Sequence, residues 1–168
     1  MYKYMKKLNY PVNVRRKDLR MAKYLITQLG GPSGELGAAL RYFSQKFSMP
    51  DEKGQALLND IACEELGHCE MIATMFSQLV RDASLEELEC AGLGGYFTDH
   101  GKGVYPIDAS GNPFSALTFS SSGDVLADLS EDMAAEEKAR ATYEHLIDLA
   151  TDEDVIQPLL FLRQRELV

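Results

Sequence analysis

The chain has 168 residues, which is enough for one domain with a substantial hydrophobic core. Its formal net charge is −9, from 17 Lys and Arg against 26 Asp and Glu, so nucleic acids and anionic membranes are unfavourable partners. No apolar stretch reaches the roughly 20 residues that a membrane span needs, and none follows the lysines near the N-terminus, so we expect no signal peptide. The three cysteines lack the number and spacing of a disulfide framework, which indicates reduced thiols in a cell interior.

Four segments have the spacing of apolar side chains that is typical of amphipathic helices. They cover, in chain order, about residues 17–47, 51–80, 124–150 and 152–168. We expect the first to bend at Gly30-Gly31-Pro32. The segment between the second and third helices, residues 81–123, is long and rich in Gly, Ser and Pro. A four-helix bundle with one long crossover explains such a connector, so the sequence predicts one all-α domain over residues 1–168.

The second helix carries two polar residues at positions where a bundle needs apolar ones. Its inward row, at heptad spacing, reads Leu58, Ile61, Glu65, His68, Ile72, Met75 and Leu79. An ionised carboxylate in a core costs free energy unless it is paired, so Glu65 needs a partner there. Because Glu65 and His68 project to the same side from adjacent turns, they bring an oxygen and an imidazole together.

The other helices each place an acid in the corresponding row, and the spacing of these acids repeats. Glu35 precedes Glu65 by 30 residues, and Glu136 precedes Glu166 by the same interval. A tyrosine follows the first acid of each pair by seven residues, at Tyr42 and Tyr143. The row of the third helix reads Leu126, Leu129, Met133, Glu136, Arg140, Tyr143, Ile147 and Ala150. The pattern indicates an internal repeat of a helix pair.

A Glu from each of two helices, with a Glu-x-x-His motif from each of the other two, forms the dinuclear metal site of carboxylate four-helix bundles. Glu35, Glu65, His68 and Glu136 supply most of this set. By the repeat, the counterpart of His68 belongs just beyond Val168. We therefore expect the fourth helix to be truncated at this residue and to continue in a longer polypeptide.

Several neighbouring side chains need a separate interpretation. Tyr42 and Tyr143 either pack in the core or form hydrogen bonds with the acids. Arg140 either neutralises the acids or extends to solvent. Glu64 and Glu137 fall outside the inward rows, so we expect them to lie away from a metal.

Five stretches of the chain resemble a known family. They are Gly30-Gly31-Pro32-Ser33-Gly34-Glu35-Leu36, Tyr42-Phe43-Ser44-Gln45, Glu64-Glu65-Leu66-Gly67-His68, Ala134-Ala135-Glu136 and Arg165-Glu166. With these motifs the chain is similar to the manganese catalases of the ferritin-like superfamily, over nearly its whole length. The short length resembles most the spore-coat branch of that family, the coat protein JC type.

This resemblance implies a ferritin-like fold, a homo-oligomer (a hexamer), two manganese ions per subunit and hydrogen peroxide as the substrate, which is disproportionated to water and oxygen. It implies that Glu35 and His68 bind the first ion, that Glu65 bridges both ions and that Glu136 binds the second. Glu166 would move protons beside them. It also implies a location in the cytoplasm or the spore coat, with other spore-coat proteins as partners.

Two other functions fit the same residues. Carboxylate and imidazole ligands suit iron as well as manganese, so a ferritin-like di-iron oxidase or iron store is one alternative. A structural spore-coat protein whose metal site is vestigial, or serves only to stabilise the bundle, is the other.

Overall fold

A computed structural model describes residues 5–101 and 103–167. The regular secondary structure of this part of the chain is helical, apart from one isolated β-bridge between Ile107 and Pro113. The helices of the described ranges are α1 (Leu19–Leu25), α2 (Thr27–Gly30), α3 (Glu35–Gln45), α4 (Glu52–Leu79), α5 (Leu85–Cys90), α6 (Gly94–His100), α7 (Val125–Leu149) and α8 (Glu153–Arg165). Short 3₁₀ turns cover Lys46–Ser48 and Ala116–Thr118. The prediction of an all-α fold is confirmed.

An aspartate precedes each of the long bundle helices and fixes where it begins. The side chains of these residues accept hydrogen bonds from backbone N–H groups in the first turn: Asp51 before α4, Asp124 before α7 and Asp152 before α8. Asp18 caps α1 in the same way. Each such cap satisfies a donor that has no partner within the helix and stabilises the fold by about 0.5–2 kcal/mol.

The first predicted helix is divided into α1, α2 and α3 instead of being one bent helix. Gly31 and Gly34 both have extended backbone, with ψ of 168°, so the helical hydrogen bonding stops between them. Gly30 lies directly against the backbone of Pro106 in the connector, which leaves no room for a Cβ atom. The interruption allows α3 to begin at Glu35.

Helices α3, α4, α7 and α8 form a four-helix bundle, in which α3 packs on α4 and α7 packs on α8. Hydrogen bonds between α3 and α7 join Glu35 to Tyr143, Tyr42 to Glu136 and Gln45 to Asp132. Because the residue numbers rise along α3 as they fall along α7, these two helices run antiparallel.

The bundle has two unequal ends. At the apolar end, Tyr143, Leu146 and Leu159 belong to a large hydrophobic core that includes α1 and the second half of α4. At the polar end, Gln45 and Asp132 are buried next to a much smaller apolar cluster of Tyr42, Met49, Leu58 and Ala62. The two ends therefore differ in how much apolar surface stabilises them.

The inward row predicted for the first half of α7 is wrong. Leu126 is 79% exposed and Met133 is 69% exposed. The residues that α7 buries are Asp128, Asp132, Ala135, Ala139, Tyr143 and Leu146. Asp128 accepts hydrogen bonds from the backbone of Ser122 and Gly123, and Asp132 accepts one from Gln45. Because these acids have partners, they can occupy the inner face in place of leucines.

The long connector between α4 and α7 is partly helical and contributes to the core. Tyr96 and Phe97 of α6 pack against Phe76 of α4, with ring centroids 6.3 Å apart in both pairs. Across the described residues, the helices lack the combination of length and apolar character that spanning a bilayer requires.

Candidate metal centre

Three of the predicted ligands meet in the middle of the bundle. Glu35 is the first residue of α3 and is 2% exposed. Glu65 and His68 lie halfway along α4, and both are buried. His68 Nδ1 is 3.2 Å from Glu65 Oε2 and 3.6 Å from Glu35 Oε2. Two carboxylates and one imidazole thus face one another in the core, as the inward rows predict.

The acids of the second half face the same place. Glu136 of α7 and Glu166, which follows α8, line a cavity of about 10 Å³ together with Glu35 and Glu65. A larger pocket of about 360 Å³ adjoins it, and Glu65, His68, Glu136 and Glu166 all line that pocket. We call Glu35, Glu65, His68, Glu136 and Glu166 the acid cluster.

Two tyrosines connect the halves of the repeat. The hydroxyl of Tyr143 donates a hydrogen bond to Glu35, and the hydroxyl of Tyr42 donates one to Glu136. Of the two interpretations given to these tyrosines, hydrogen bonding to the acids is therefore correct, and both rings are also buried. Each half supplies the donor for the acid of the other half.

A third contact shows the same relation. Arg165 donates to Glu64 through Nε and Nη2, at 2.5 and 3.2 Å. Glu64 precedes Glu65 just as Arg165 precedes Glu166, so the contact joins two equivalent positions of the repeat. Swapping the two halves of the repeat turns one tyrosine contact into the other and leaves the contact between Glu64 and Arg165 in place. The two helix pairs are therefore related by a pseudo-twofold axis.

Two acids lie outside the cluster in different ways. Glu137 is exposed and pairs with Arg140, which also pairs with Glu144, so Arg140 extends to solvent and does not neutralise the cluster. Glu64 is partly exposed and is held by Arg165, although its Oε1 atom also lies 3.6 Å from Nε2 of His68.

The pKa values in the cluster show how strongly the acids interact. Burial, and next the charge of Glu35, raise the pKa of Glu65 well above its usual value. Burial, followed by Glu35 and Glu136, raises the pKa of Glu166 to about 12. Burial also acts against ionised Glu35, but interactions with Glu65, His68 and Tyr143 outweigh it and lower the pKa of Glu35. Without a cation the cluster therefore retains protons, because adjacent buried carboxylates repel one another.

The carboxylates around His68 favour the charged form of its imidazole ring. Burial lowers its pKa, but the carboxylates of Glu35, Glu64 and Glu65 around it raise the pKa well above the usual value. The ring is thus surrounded by groups that favour a positive charge at this place. A bound metal ion can supply that charge instead, with the ring neutral.

The donor atoms fit a divalent cation. His68 Nε2 and Glu166 Oε1 are buried and form no hydrogen bond within the described part of the chain. Glu35, His68 and Glu166 each offer one ligand atom, and these three atoms lie within 4.8 Å of one another. This group includes Glu166, to which the resemblance assigns proton transfer. Carboxylate oxygens and an imidazole nitrogen are the ligands that Mn²⁺ and Fe²⁺ accept.

Sequence reasoning misses three polar residues that extend from the cluster toward the polar end: Arg41, Gln45 and Asp132. Gln45 Nε2 donates to Asp132 Oδ1 at 3.0 Å. Burial raises the pKa of Asp132 to about 6, although Gln45 and Arg41 act to lower it. The small residues Ala135 and Ala139, spaced for helix contact, were the available signal for the correct inner face of α7, which then includes Asp132.

Comparisons with known proteins agree with this geometry. Residues 1–168 match the family described as manganese containing catalase. Protein CotJC of Bacillus subtilis (strain 168) is 51% identical over the whole chain, which covers 88% of that protein. The manganese catalase of Bacillus subtilis is 36% identical over 99% of the chain, which covers 66% of that protein.

A solved structure of a manganese catalase has a similar fold. KatB, a manganese catalase from Anabaena PCC7120, superposes with a TM-score of 0.89 and 34% identity, over 99% of this chain and 75% of that one. The bundle is therefore of the ferritin-like kind that the resemblance implies. Because the match to this family covers residues 1–168, the chain belongs to the manganese-containing catalase family.

Proposed function

We propose that the protein binds two manganese ions in the acid cluster and disproportionates hydrogen peroxide to water and oxygen. The observation that carries the proposal is the convergence of four carboxylates and one imidazole in the buried centre of the bundle. The family supports manganese as the metal. The chemistry that the bound ions supply is a one-electron change at each, so that the pair can reduce one peroxide and oxidise the next.

The residues of the cluster have distinct parts in this proposal. Glu35 and His68 would hold one ion, Glu136 would hold the other, and Glu65 would be shared between them. Glu166 lies beside these carboxylates and its buried Oε1 atom forms no hydrogen bond within the described part of the chain, so this oxygen would be available to exchange a proton with peroxide. Tyr42 and Tyr143 orient the carboxylates of Glu136 and Glu35, as partners of metal ligands commonly do.

The experiment compares His68→Ala and Glu65→Gln with His145→Ala. His145 is exposed on α7, so it serves as a matched control for the loss of a histidine. We expect the first two variants to lose bound manganese and peroxide turnover, because each removes a ligand. The control should keep both. The measurements are metal content by mass spectrometry and oxygen release from hydrogen peroxide.

The same experiment distinguishes the alternatives. A protein that binds iron from a mixture of the two metals, and oxidises Fe²⁺ without releasing oxygen from peroxide, would be a di-iron oxidase. A protein that binds manganese but turns over no peroxide would have a structural site, as in the spore-coat alternative. The hexamer and the association with other spore-coat proteins are further parts of the proposal, and sedimentation measures the first.

A further inference from the structure

Gln28 is a buried polar residue that belongs neither to the acid cluster nor to its tyrosines. The side chain lies on α2 and is 1% exposed. Its Nε2 donor is buried and forms no hydrogen bond of regular geometry with the described residues. A buried amide N–H without an acceptor costs free energy, so the groups around Gln28 determine what this side chain contributes.

The break between α2 and α3 brings Gln28 into the core. By the repeat that relates Glu35 to Glu136, the counterpart of Gln28 is Leu129, since each lies seven residues before the acid of its half. Leu129 is part of the unbroken helix α7 and is 37% exposed, whereas Gln28 is buried. A continuous helix would therefore carry this position toward the surface, and the interruption turns it inward.

Close backbone packing holds Gln28 next to the start of α3. Gly34 is the residue before Glu35, and a Cβ atom on it would lie 2.7 Å from the carbonyl oxygen of Thr27 and 2.8 Å from that of Gln28. A Cβ atom does not come this close to backbone atoms, so glycine is needed for the approach. The last turn of α2 is thus packed against the residue that precedes Glu35.

The group on which the Gln28 side chain acts is the hydroxyl of Tyr143. Burial, and next the charge of Glu35, raise the pKa of Tyr143 well above its usual value, while the nearby amide of Gln28 acts to lower it. The Tyr143 hydroxyl donates its proton to Glu35, so its oxygen keeps lone pairs that an amide N–H can meet. Gln28, Tyr143 and Glu35 therefore follow one another in an order in which each can orient the next.

We propose that Gln28 is a positioning residue for the metal centre. Its side-chain amide donates to the Tyr143 hydroxyl, fixes the direction in which that hydroxyl donates, and so holds Glu35 in the orientation in which it binds an ion. The inference rests on the proposed function for the metal that Glu35 holds. Leu129, at the equivalent position, has no side-chain donor, so the repeat does not provide Tyr42 with the same support.

The test compares Gln28→Met, which keeps the length of the side chain but removes its donor, with Gln157→Met at an exposed glutamine of α8. In Gln28→Met we expect the dissociation constant for Mn²⁺, measured by calorimetry, to rise about threefold to tenfold, and Gln157→Met should leave it unchanged. Gln28→Leu is a second variant without a donor. The Raman bands of Tyr143, obtained as the difference from the matching Tyr143→Phe protein, report the hydrogen bonding of its hydroxyl and should shift in both Gln28 variants.

A double-mutant cycle with Tyr143→Phe separates this role from a contribution to packing alone. If Gln28 acts through the Tyr143 hydroxyl, Gln28→Met should change the dissociation constant for Mn²⁺ by less than about twofold in the Tyr143→Phe protein. Equal effects in the two backgrounds, or Raman bands of Tyr143 that do not respond to the Gln28 variants, would overturn the inference. Manganese binding that depends on Gln28 in this way, in a protein that releases no oxygen from peroxide, would remove the catalase function and leave the inference standing.

Discussion

The two ends of the bundle have the same arrangement of acids and tyrosines but differ in the residues that lie beyond them. At the apolar end Tyr143 donates to Glu35, and at the polar end Tyr42 donates to Glu136. One turn beyond Tyr143 lies Leu146, buried in the large core, whereas the equivalent residue beyond Tyr42 is Gln45, which is hydrogen-bonded to Asp132. The repeat thus holds for the acids and their tyrosines but not for the residues one turn beyond them.

This difference indicates how a cluster built on a repeat can have one stable side and one side that small molecules can reach. Apolar packing next to Glu35 excludes water and holds the first turn of α3 in place. Polar side chains next to Glu136 leave unsatisfied donors and acceptors, which water or a small substrate can satisfy. Stability is therefore expected from one end and access from the other.

The largest test of this comparison uses two leucines at equivalent positions of the repeat. Leu159 is fully buried in the large core, and Leu58 is buried in the small cluster of the polar end. We expect Leu159→Ala to lower the free energy of unfolding by about 4 kcal/mol and Leu58→Ala by about 2–3 kcal/mol, since a cavity costs more where more neighbours surround it. Chemical denaturation of both variants provides the measurement. Equal losses would show that the two ends are equally well packed.

The next test concerns the pH dependence of the metal-free protein. Burial, Glu35 and Glu136 raise the pKa of Glu166 to about 12 from an ordinary value of 4.5. The folded state therefore binds this proton more tightly than the unfolded state does. Its stabilising effect is complete below about pH 4.5 and is lost progressively as the pH rises toward 12. Glu166→Gln needs no proton, so it should raise the melting temperature at pH 8 by a few degrees and change it little at pH 4.

Glu35, at the apolar end, should respond to pH in the opposite direction from Glu166. Its pKa is lowered by Glu65, His68 and Tyr143 despite its burial, so its ionised form stabilises the fold above about pH 4.5. Glu35→Gln should therefore lower the melting temperature of the metal-free protein at pH 8. Calorimetry of both variants, after a chelator has removed the metal, measures the direction of each shift in melting temperature. Shifts in the same direction for both would contradict the assigned difference between the acids.

Much of this arrangement can be predicted from the sequence because it depends on local rules. The aspartate caps, the heptad rows and the 30-residue spacing of the acids are properties of single helices or of the repeat. They are sufficient to bring Glu35, Glu65, His68 and Glu136 together, and the motifs around these residues carry the resemblance to the family. They also show that Tyr42 and Tyr143 follow the acids at the same interval, but they leave open whether these residues pack in the core or form hydrogen bonds with the acids.

The remainder depends on which partners the tertiary structure supplies. An apolar pattern favours Leu126 and Met133 for the core, and only the contacts of Asp128 and Asp132 with other segments make the acidic face the inner one. The exchange of tyrosines between the halves likewise depends on the antiparallel packing of α3 and α7. Arg41 could not be assigned to the site from the sequence, because only the tertiary structure brings its side chain to the cavity that Glu35 and Glu136 line.

The smallest effect is expected at the Glu64–Arg165 pair, which joins equivalent positions of the two halves. Both side chains are 33% exposed, so solvent screens their attraction, and a double-mutant cycle with Glu64→Gln and Arg165→Met should give a coupling energy of about 0.5–1 kcal/mol. His68, and next Arg165, lower the pKa of Glu64 to about 2. Stabilisation by this carboxylate is therefore present above about pH 4.5 and is lost as the pH falls through 2. The coupling energy should therefore shrink as the pH is lowered from about 4 to about 2 in denaturation experiments. A coupling of several kcal/mol that does not depend on pH would mean that the pair, and not the apolar end, holds the two halves together.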